Sequence, residues 1–194
     1  MLTLIKHASV YSPVYLGEKD ILLAFDKIAY IGECIEYSAI PDELECEIID
    51  ASGKLLLPGF IDQHVHMIGG GGEGGFQSRT REVDIQDLVE NGITTVVGVL
   101  GVDGITRSLE GLYAKSKELE GEGISTYIYS GSYQLPVLTM TGSIQRDLVL
   151  IDKVIGVGEI AVSDHRSFQL TAEELARIAA EARNGGMISG KAGV

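Results

Sequence analysis

The chain has 194 residues, of which 45% are hydrophobic and 22% are charged, a composition typical of a globular protein with one or two domains. Its formal net charge of −13 would repel a polyanion, which excludes nucleic acid as a partner. No apolar run approaches the roughly 18 residues that a membrane span needs, and the N-terminus lacks the pattern of a signal peptide, so we expect a cytoplasmic protein without membrane contact. Cys34 and Cys46 match no metal-binding or redox spacing and are expected to be packing residues.

Residues 1–57 contain short apolar runs separated by charged and turn-forming residues. The runs are Leu2 to Ile5, Ile21 to Phe25, Ile28 to Ile31 and Glu47 to Ile49. This close spacing predicts a small antiparallel β module.

After Pro58, longer apolar runs alternate with helix-like stretches. A short strand is predicted directly after Pro58, further strands are predicted at Thr94–Leu100, Ile124–Tyr129 and Val154–Val162, and helices at Ile85–Asn91, Ser108–Glu120, Ser143–Ile151 and Ala172–Asn184. Nearly continuous apolar strands are typical of a parallel sheet that is covered on both faces. The order strand then helix therefore occurs four times in residues 58–194.

The last predicted helix carries signals at both ends. Thr171 and Glu174 have the spacing of a capping box, Gly185 is predicted to end the helix, and a fifth strand is predicted to begin near Met187. A closed (β/α)8 barrel takes about 250 residues, so residues 58–194 would supply about half of one. We therefore expect this chain to be part of a longer protein.

His64 and His66 lie two residues apart in the first predicted strand of this region, so their side chains point to the same face. Two convergent imidazoles at the end of a strand form half of a site for a first-row divalent ion, with zinc the most common choice. For a bare His-x-His pattern, one core histidine and one exposed histidine would be the favoured interpretation. The residues that flank the pair must therefore decide between the two.

Glu159 lies inside the apolar run Val154–Val162. An ionised carboxylate placed there without compensation costs several kcal/mol, so it must be paired, protonated or bound to a metal. The sequence allows either a buried Glu that pairs with an Arg or Lys, or a metal ligand.

A glycine-rich segment, Gly69 to Gly75, follows His66 and contains Glu73. A phosphate-binding loop is not predicted, because no Lys followed by Ser or Thr comes after it. The segment follows the C-terminal end of a strand, where barrel enzymes build their sites. Glu73 is therefore predicted to meet a cationic group of a ligand.

The segment Ser163-Asp164-His165-Arg166 contains the residue types of a hydrolytic triad, but consecutive residues on one loop cannot adopt the geometry of a triad. Arg166, after the fourth strand, is predicted to bind a carboxylate through two hydrogen bonds. Tyr133, after the third strand, is either a donor to a substrate carbonyl or a packed loop residue.

The stretch from Ala51 to Asp62 that leads into His64 and His66 resembles the first barrel strand of the amidohydrolase superfamily. Together with Gly69 to Glu73, Gly131 to Tyr133 and Ser163 to Ser167, it resembles the isoaspartyl dipeptidases (β-aspartyl peptidases) along essentially the whole chain. That family of metallopeptidases joins a β-sandwich to a (β/α)8 barrel and binds two zinc ions. A hydroxide that bridges the metals attacks the β-aspartyl amide.

The resemblance implies the following roles: His64 and His66 bind one zinc ion, Glu159 bridges both, Tyr133 polarises the substrate, and Gly71, Glu73 and Arg166 bind it. It also implies that residues 1–57 belong to the β-sandwich and residues 58–194 form the first four β/α units of the barrel. Many relatives have a carbamylated lysine in place of Glu159. The remaining ligands and a proton-shuttling aspartate would lie beyond Val194, so we expect the 194 residues alone to be inactive and the full-length protein to be a homo-oligomer.

Two other functions stay open from the sequence. One is an amidohydrolase that acts on cyclic amides or N-acyl amino acids, which the His-x-His strand alone does not exclude. The other is a catalytically silent homologue that keeps the fold as an assembly module. A small dipeptide remains the predicted substrate, since Glu73 and Arg166 complement an ammonium group and a carboxylate.

Overall fold

The structure, a computed structural model, describes residues 2–41 and 43–193. Met1 and Val194, which are the first and last residues of the two predicted domains, and Asp42 lie outside the described residues. The chain divides into two compact units, Met1–Pro58 and Gly59–Val194. This division lies one residue after the domain end predicted at residue 57. Among the described residues, no helix has the length and apolar character needed to cross a membrane.

The first unit contains one five-stranded sheet. Its strands are β1 (Leu2–Tyr11), β2 (Tyr15–Ala24), β3 (Lys27–Gly32), β4 (Cys46–Asp50) and β5 (Leu55–Leu56), and a 3-10 helix spans Tyr37–Ala39. The order is β3-β2-β1-β4, and β5 also pairs with β1. The β1–β2 and β2–β3 pairs are antiparallel, whereas β4 and β5 run parallel to β1.

The prediction of an antiparallel module is therefore wrong for β4 and β5. The long connection between β3 and β4 allows the chain to cross over and re-enter in the direction of β1, which a tight hairpin would not allow.

The prediction for the cysteines holds for one of them: Cys46 is half-buried and packs beside Leu4, whereas Cys34 is exposed.

The second unit contains a four-stranded parallel sheet with the order β6-β7-β8-β9. The strands are β6 (Phe60–Val65), β7 (Ile93–Gly98), β8 (Ser125–Ser130) and β9 (Val154–Val157); the helices are α1 (Ile85–Val89), α2 (Leu109–Gly121), α3 (Ile144–Leu150) and α4 (Ala172–Ser189), with a 3-10 helix at Phe76–Ser78. Each strand is followed by a helix, as predicted. The core of this unit includes Val96, Leu112, Ile128 and Leu148, all of which are fully buried.

Strand β9 is shorter than predicted and ends at Val157 instead of Val162. Its partner β8 ends at Ser130, whose carbonyl accepts the last backbone hydrogen bond of the pair, 2.9 Å from Gly158 N. The apolar residues from Ile160 to Val162 therefore have no strand beside them. As a result Glu159 lies just beyond the C-terminal end of the sheet, and its predicted place inside a strand is wrong.

Helix α4 is longer than predicted, because Gly185 does not end it. A Cβ atom at Gly185 would lie 3.0 Å from Leu148 Cβ, so the glycine is needed where α4 packs against α3. The helix ends instead at Gly190, whose φ of 72° is left-handed, and the capping box of Thr171 and Glu174 at its start is confirmed. The predicted fifth strand near Met187 is wrong, since that residue is helical.

Candidate metal and substrate site

The site lies at the C-terminal ends of the parallel strands, which share one edge of the sheet. His64 is near the end of β6, His66 follows that strand, and Glu159 follows β9. The Nε2 atom of His64 lies 2.9 Å from Oε1 of Glu159, and the two imidazole centroids are 5.5 Å apart. Each of the three residues offers a ligand atom within 4.8 Å of the others. The structure thus brings the three predicted ligands together.

The buried atoms of this cluster fit a metal ion. Nδ1 of His66 and Oε2 of Glu159 are both buried, and neither has a hydrogen-bond partner among the described residues. Burial lowers the pKa of His66 despite the nearby charge of Glu159, and this favours the neutral imidazole that binds metals. Two imidazole nitrogens and a carboxylate oxygen form a donor set that suits zinc.

Neither of the two non-metal interpretations that the sequence left open describes this cluster. His66 is not a satisfied core histidine, because its Nδ1 atom is unpartnered. The ionic partner of Glu159 within the described residues is His64, not an arginine or a lysine. A divalent ion would satisfy both buried orphan atoms at once.

The segment that follows β7 passes close to His66 at Gly101. The φ of Gly101 is +80°, and a Cβ atom at this position would lie 2.8 Å from Cε1 and 3.0 Å from Nδ1 of His66. We expect Gly101→Ala to lower the free energy of unfolding by about 1–3 kcal/mol and the zinc affinity at least about tenfold, because the imidazole must move. Chemical denaturation and zinc titration of the intact protein that carries this chain would measure both effects.

A matched control is Gly190→Ala, which has a similar φ of +72° but no atom within 4 Å of the added Cβ. This variant should lose stability for backbone reasons while its zinc affinity stays unchanged. Equal zinc affinity in the two variants would contradict the role given to Gly101.

Arg107 holds the glycine-rich segment in place, a role that no pattern in the sequence indicates. Its side chain is only 4% exposed, and it donates hydrogen bonds to three carbonyl oxygens: Ile68 (3.2 Å), Gly70 (2.9 Å) and Gly71 (3.4 Å). Thr80 adds a second contact, since its Oγ1 accepts from Gly70 N at 2.7 Å. The segment therefore has a fixed course past His66.

Arg166 is held by two carboxylates. Its Nε and Nη2 atoms donate to the two oxygens of Asp164 at 2.8 and 2.7 Å, and its backbone N–H donates to Asp164 Oδ1 at 2.8 Å. Its Nη1 atom donates to Oε1 of Glu73. The Arg166 guanidinium holds the pKa of Asp164 well below its usual range, so the carboxylate is ionised. Asp164 was assigned no role from the sequence.

Tyr133 lies beside this ion-pair network. The Arg166 guanidinium carbon is 5.1 Å from the Tyr133 ring centroid, and Nη2 lies 3.5 Å from the phenol oxygen. Burial, followed by the charge of Glu159, raises the pKa of Tyr133, which keeps the hydroxyl protonated. The phenol can therefore donate a hydrogen bond.

Two adjoining cavities are lined by the residues that were predicted to bind or polarise the substrate. A cavity of about 650 Å³ is lined by Gly71, Glu73 and Arg166 among others, and a smaller one of about 50 Å³ is lined by His66, Tyr133 and Arg166. A third cavity, of about 500 Å³, lies between α4 and the loop that follows β8, and none of the predicted site residues lines it. The first two cavities form the candidate site.

Comparison with known proteins gives the following matches. Residues 47–102 match the model of the Amidohydrolase family. The crystal structure of the β-aspartyl dipeptidase from Fervidobacterium islandicum AW-1 in complex with a β-Asp-Leu dipeptide is 61% identical, with a TM-score of 0.94 over 100% of this chain and 50% of that chain. The chain belongs to the amidohydrolase superfamily. The resemblance to β-aspartyl dipeptidases predicted from the sequence is confirmed.

Two more distant matches concern a dihydroorotase and a hydantoinase. A dihydroorotase from Listeria monocytogenes serotype 4a (strain HCC23) is 35% identical over 106 residues, which are 53% of this chain and 23% of the relative. The L-hydantoinase (dihydropyrimidinase) of Arthrobacter aurescens is 22% identical, with a TM-score of 0.61 over 95% of this chain and 39% of that chain, and supports the fold alone. This amidohydrolase-superfamily chain has a mixed α/β fold with TIM-barrel relatives. It spans about half the length of the dipeptidase and less of the others.

Proposed function

We propose that the intact protein that carries this chain hydrolyses β-aspartyl dipeptides and depends on zinc. The observation that carries the proposal is the placement of a metal-ligand cluster, His64, His66 and Glu159, beside a cavity whose lining includes the carboxylate of Glu73 and the guanidinium of Arg166. A β-aspartyl dipeptide carries one ammonium group and two carboxylates, which this pair of side chains complements. The 61% identity to a dipeptidase in complex with β-Asp-Leu supports the same substrate class.

The metal would be held by residues with distinct tasks. His64 and His66 would bind one zinc ion, and Glu159, which faces His64 and has one unpartnered oxygen, would be shared between two ions. When bound, zinc would supply a water that is nucleophilic at neutral pH and would polarise the amide carbonyl.

The other side chains bind and orient the substrate. Glu73 would accept hydrogen bonds from the α-ammonium group, and Arg166 would donate to a carboxylate. Gly71, whose carbonyl is held by Arg107, would place the backbone of the glycine-rich segment against the ligand. Tyr133 would donate its hydroxyl proton to the amide oxygen in a hydrogen bond, since its phenol is protonated and lines the cavity beside His66.

Each of the two units would then be part of a larger domain of the intact protein. The four parallel β/α units in residues 59–193 would be the first half of a (β/α)8 barrel, in which active sites lie at the C-terminal ends of the strands. The five-stranded sheet of the first unit would be part of a β-sandwich. A cytoplasmic location and a homo-oligomeric full-length state remain predictions from the sequence.

The test is hydrolysis by the intact protein after the metal is removed and zinc is restored. We expect β-Asp-Leu to be cleaved, α-Asp-Leu to be cleaved at least about 100-fold more slowly, and the metal-free protein to be inactive. Dihydroorotate belongs in the panel because of the match to dihydroorotases. Faster turnover of the cyclic amide would favour that alternative, and no turnover of any substrate by the zinc-loaded protein would favour a catalytically silent homologue.

A further inference from the structure

The ion pair between Glu73 and Arg166 joins the two side chains that are proposed to bind opposite charges of the substrate. Arg166 Nη1 donates to Glu73 Oε1, so each side chain is already occupied by the other. Both side chains are partly open to solvent, with exposed fractions of 47% for Glu73 and 31% for Arg166, and both line the cavity of about 650 Å³. A ligand that takes Oε1 of Glu73, or the Nη1 hydrogen that this oxygen accepts, must open this pair.

Arg166 makes more hydrogen bonds with Asp164 than with Glu73, and this difference determines which side chain moves. Asp164 accepts two guanidinium hydrogen bonds and one from the backbone N–H of Arg166, whereas Glu73 accepts one. Asp164 and Arg166 are also only two residues apart on one loop, so their contact restricts the conformation of little additional chain. The Arg166–Asp164 contact is therefore the stronger one, and the contact with Glu73 breaks first.

Glu73 is placed to move, because glycines flank it on both sides. Gly72 and Gly75 have φ values of 103° and 96°, and a Cβ atom at Gly72 would meet one side-chain carbon of Arg79 at 3.4 Å. The backbone is held before Glu73, where Arg107 donates to the carbonyls of Gly70 and Gly71, and after it, where Gly74 N donates to Ser78 Oγ at 3.0 Å. The movement is therefore a rotation of the Glu73 side chain, which is 47% exposed.

We propose that the Glu73–Arg166 pair is opened by exchange with a zwitterionic ligand, whose ammonium takes Glu73 while its carboxylate takes Nη1 of Arg166. Asp164 is the positioning residue, since it keeps Arg166 in place while Glu73 moves. One internal ion pair is replaced by two pairs with the ligand. A ligand with carboxylates but no ammonium must open the internal pair and gains one pair in return. This inference rests on the proposed function, and it adds that the pair discriminates against ligands without the ammonium group.

The experiment compares L-aspartate with succinate, which lacks only the α-ammonium group, by calorimetric binding to the zinc-loaded intact protein. In Glu73→Gln, the exchange predicts that L-aspartate binds at least about tenfold more weakly, and that succinate binds about threefold to fivefold more tightly because a neutral amide holds Arg166 less strongly than a carboxylate does. A simple ammonium contact without exchange predicts that succinate binding is unchanged. Unchanged or weaker succinate binding in Glu73→Gln would therefore overturn the proposal.

Two further measurements separate the possible failures. Glu82→Gln removes an exposed carboxylate that faces Lys115 at 3.8 Å outside the site, and it should leave both affinities unchanged; equal tightening of succinate in this control would mean a general charge effect and overturn the exchange. Asp164→Asn should weaken L-aspartate and succinate alike, because Arg166 loses its support; retention of both affinities would overturn the positioning role. Binding of neither ligand to the unmutated protein would instead count against the proposed function.

Discussion

Glu159→Ala is expected to reduce kcat of the intact protein at least about 1000-fold and to remove most of its bound zinc. The carboxylate of Glu159 is 14% exposed, contacts His64 Nε2, and has a buried oxygen without a partner, so its loss removes the group that two metals would share. Zinc content by elemental analysis and turnover of β-Asp-Leu measure the two effects on the same sample. Full zinc content in Glu159→Ala would mean that this side chain is not a ligand.

The same position predicts how metal loading responds to carbon dioxide. Because Glu159 already carries a carboxylate, zinc reloading of the unmutated protein should give equal metal content and rate in CO2-free and bicarbonate-rich buffer. Glu159→Lys should not be rescued well by bicarbonate, since a lysine carbamate ends further from the backbone than the glutamate carboxylate. Strong bicarbonate dependence in the unmutated protein would indicate that a lysine elsewhere is the bridging ligand.

Arg107→Ala is expected to lower the free energy of unfolding by about 3–5 kcal/mol. The substitution leaves the carbonyls of Ile68, Gly70 and Gly71 without the buried guanidinium that they share. The glycine-rich segment then loses its fixed course past His66, so kcat/KM for β-Asp-Leu should also fall, mainly through a higher KM. Denaturant unfolding and steady-state kinetics of the intact protein check these two results.

Arg79→Ala is the matched control, because it removes a guanidinium from the same neighbourhood. Arg79 is 31% exposed, and its ionic contact is a long one, 4.0 Å to Asp103. A loss of no more than about 1 kcal/mol is expected for this variant. Similar losses in the two variants would show that the three carbonyl contacts of Arg107 are not what stabilises the segment.

The convergence of His64 and His66 could be predicted from a local pattern, and the resemblance to the amidohydrolase superfamily added Glu159, which a general rule makes plausible. Alternation of strands and helices indicates a parallel sheet, and the C-terminal ends of parallel strands meet at one edge. The exact end of β9 could not be predicted, because the apolar run continues through Ile160 to Val162. The end is set by β8, which stops at Ser130 and leaves those residues without a partner.

The roles of Arg107 and Asp164 differ in how far the sequence could have indicated them. The carbonyl partners of Arg107 lie 36 to 39 residues earlier in the chain, so no local pattern joins them. Asp164 lies two residues before Arg166, and an aspartate at that spacing commonly accepts from a nearby backbone N–H. That spacing was a usable signal. Its further consequence, that Asp164 occupies two of the three guanidinium nitrogens of Arg166, required the structure.

The most direct measurement of the central claim is anomalous diffraction at the zinc edge from crystals of the zinc-loaded intact protein. An anomalous peak is expected within coordination distance of His64, His66 and the Glu159 carboxylate, at the C-terminal ends of β6 and β9. Zinc located elsewhere, with His64 Nε2 still hydrogen-bonded to Glu159 and no peak between the three side chains, would contradict this claim.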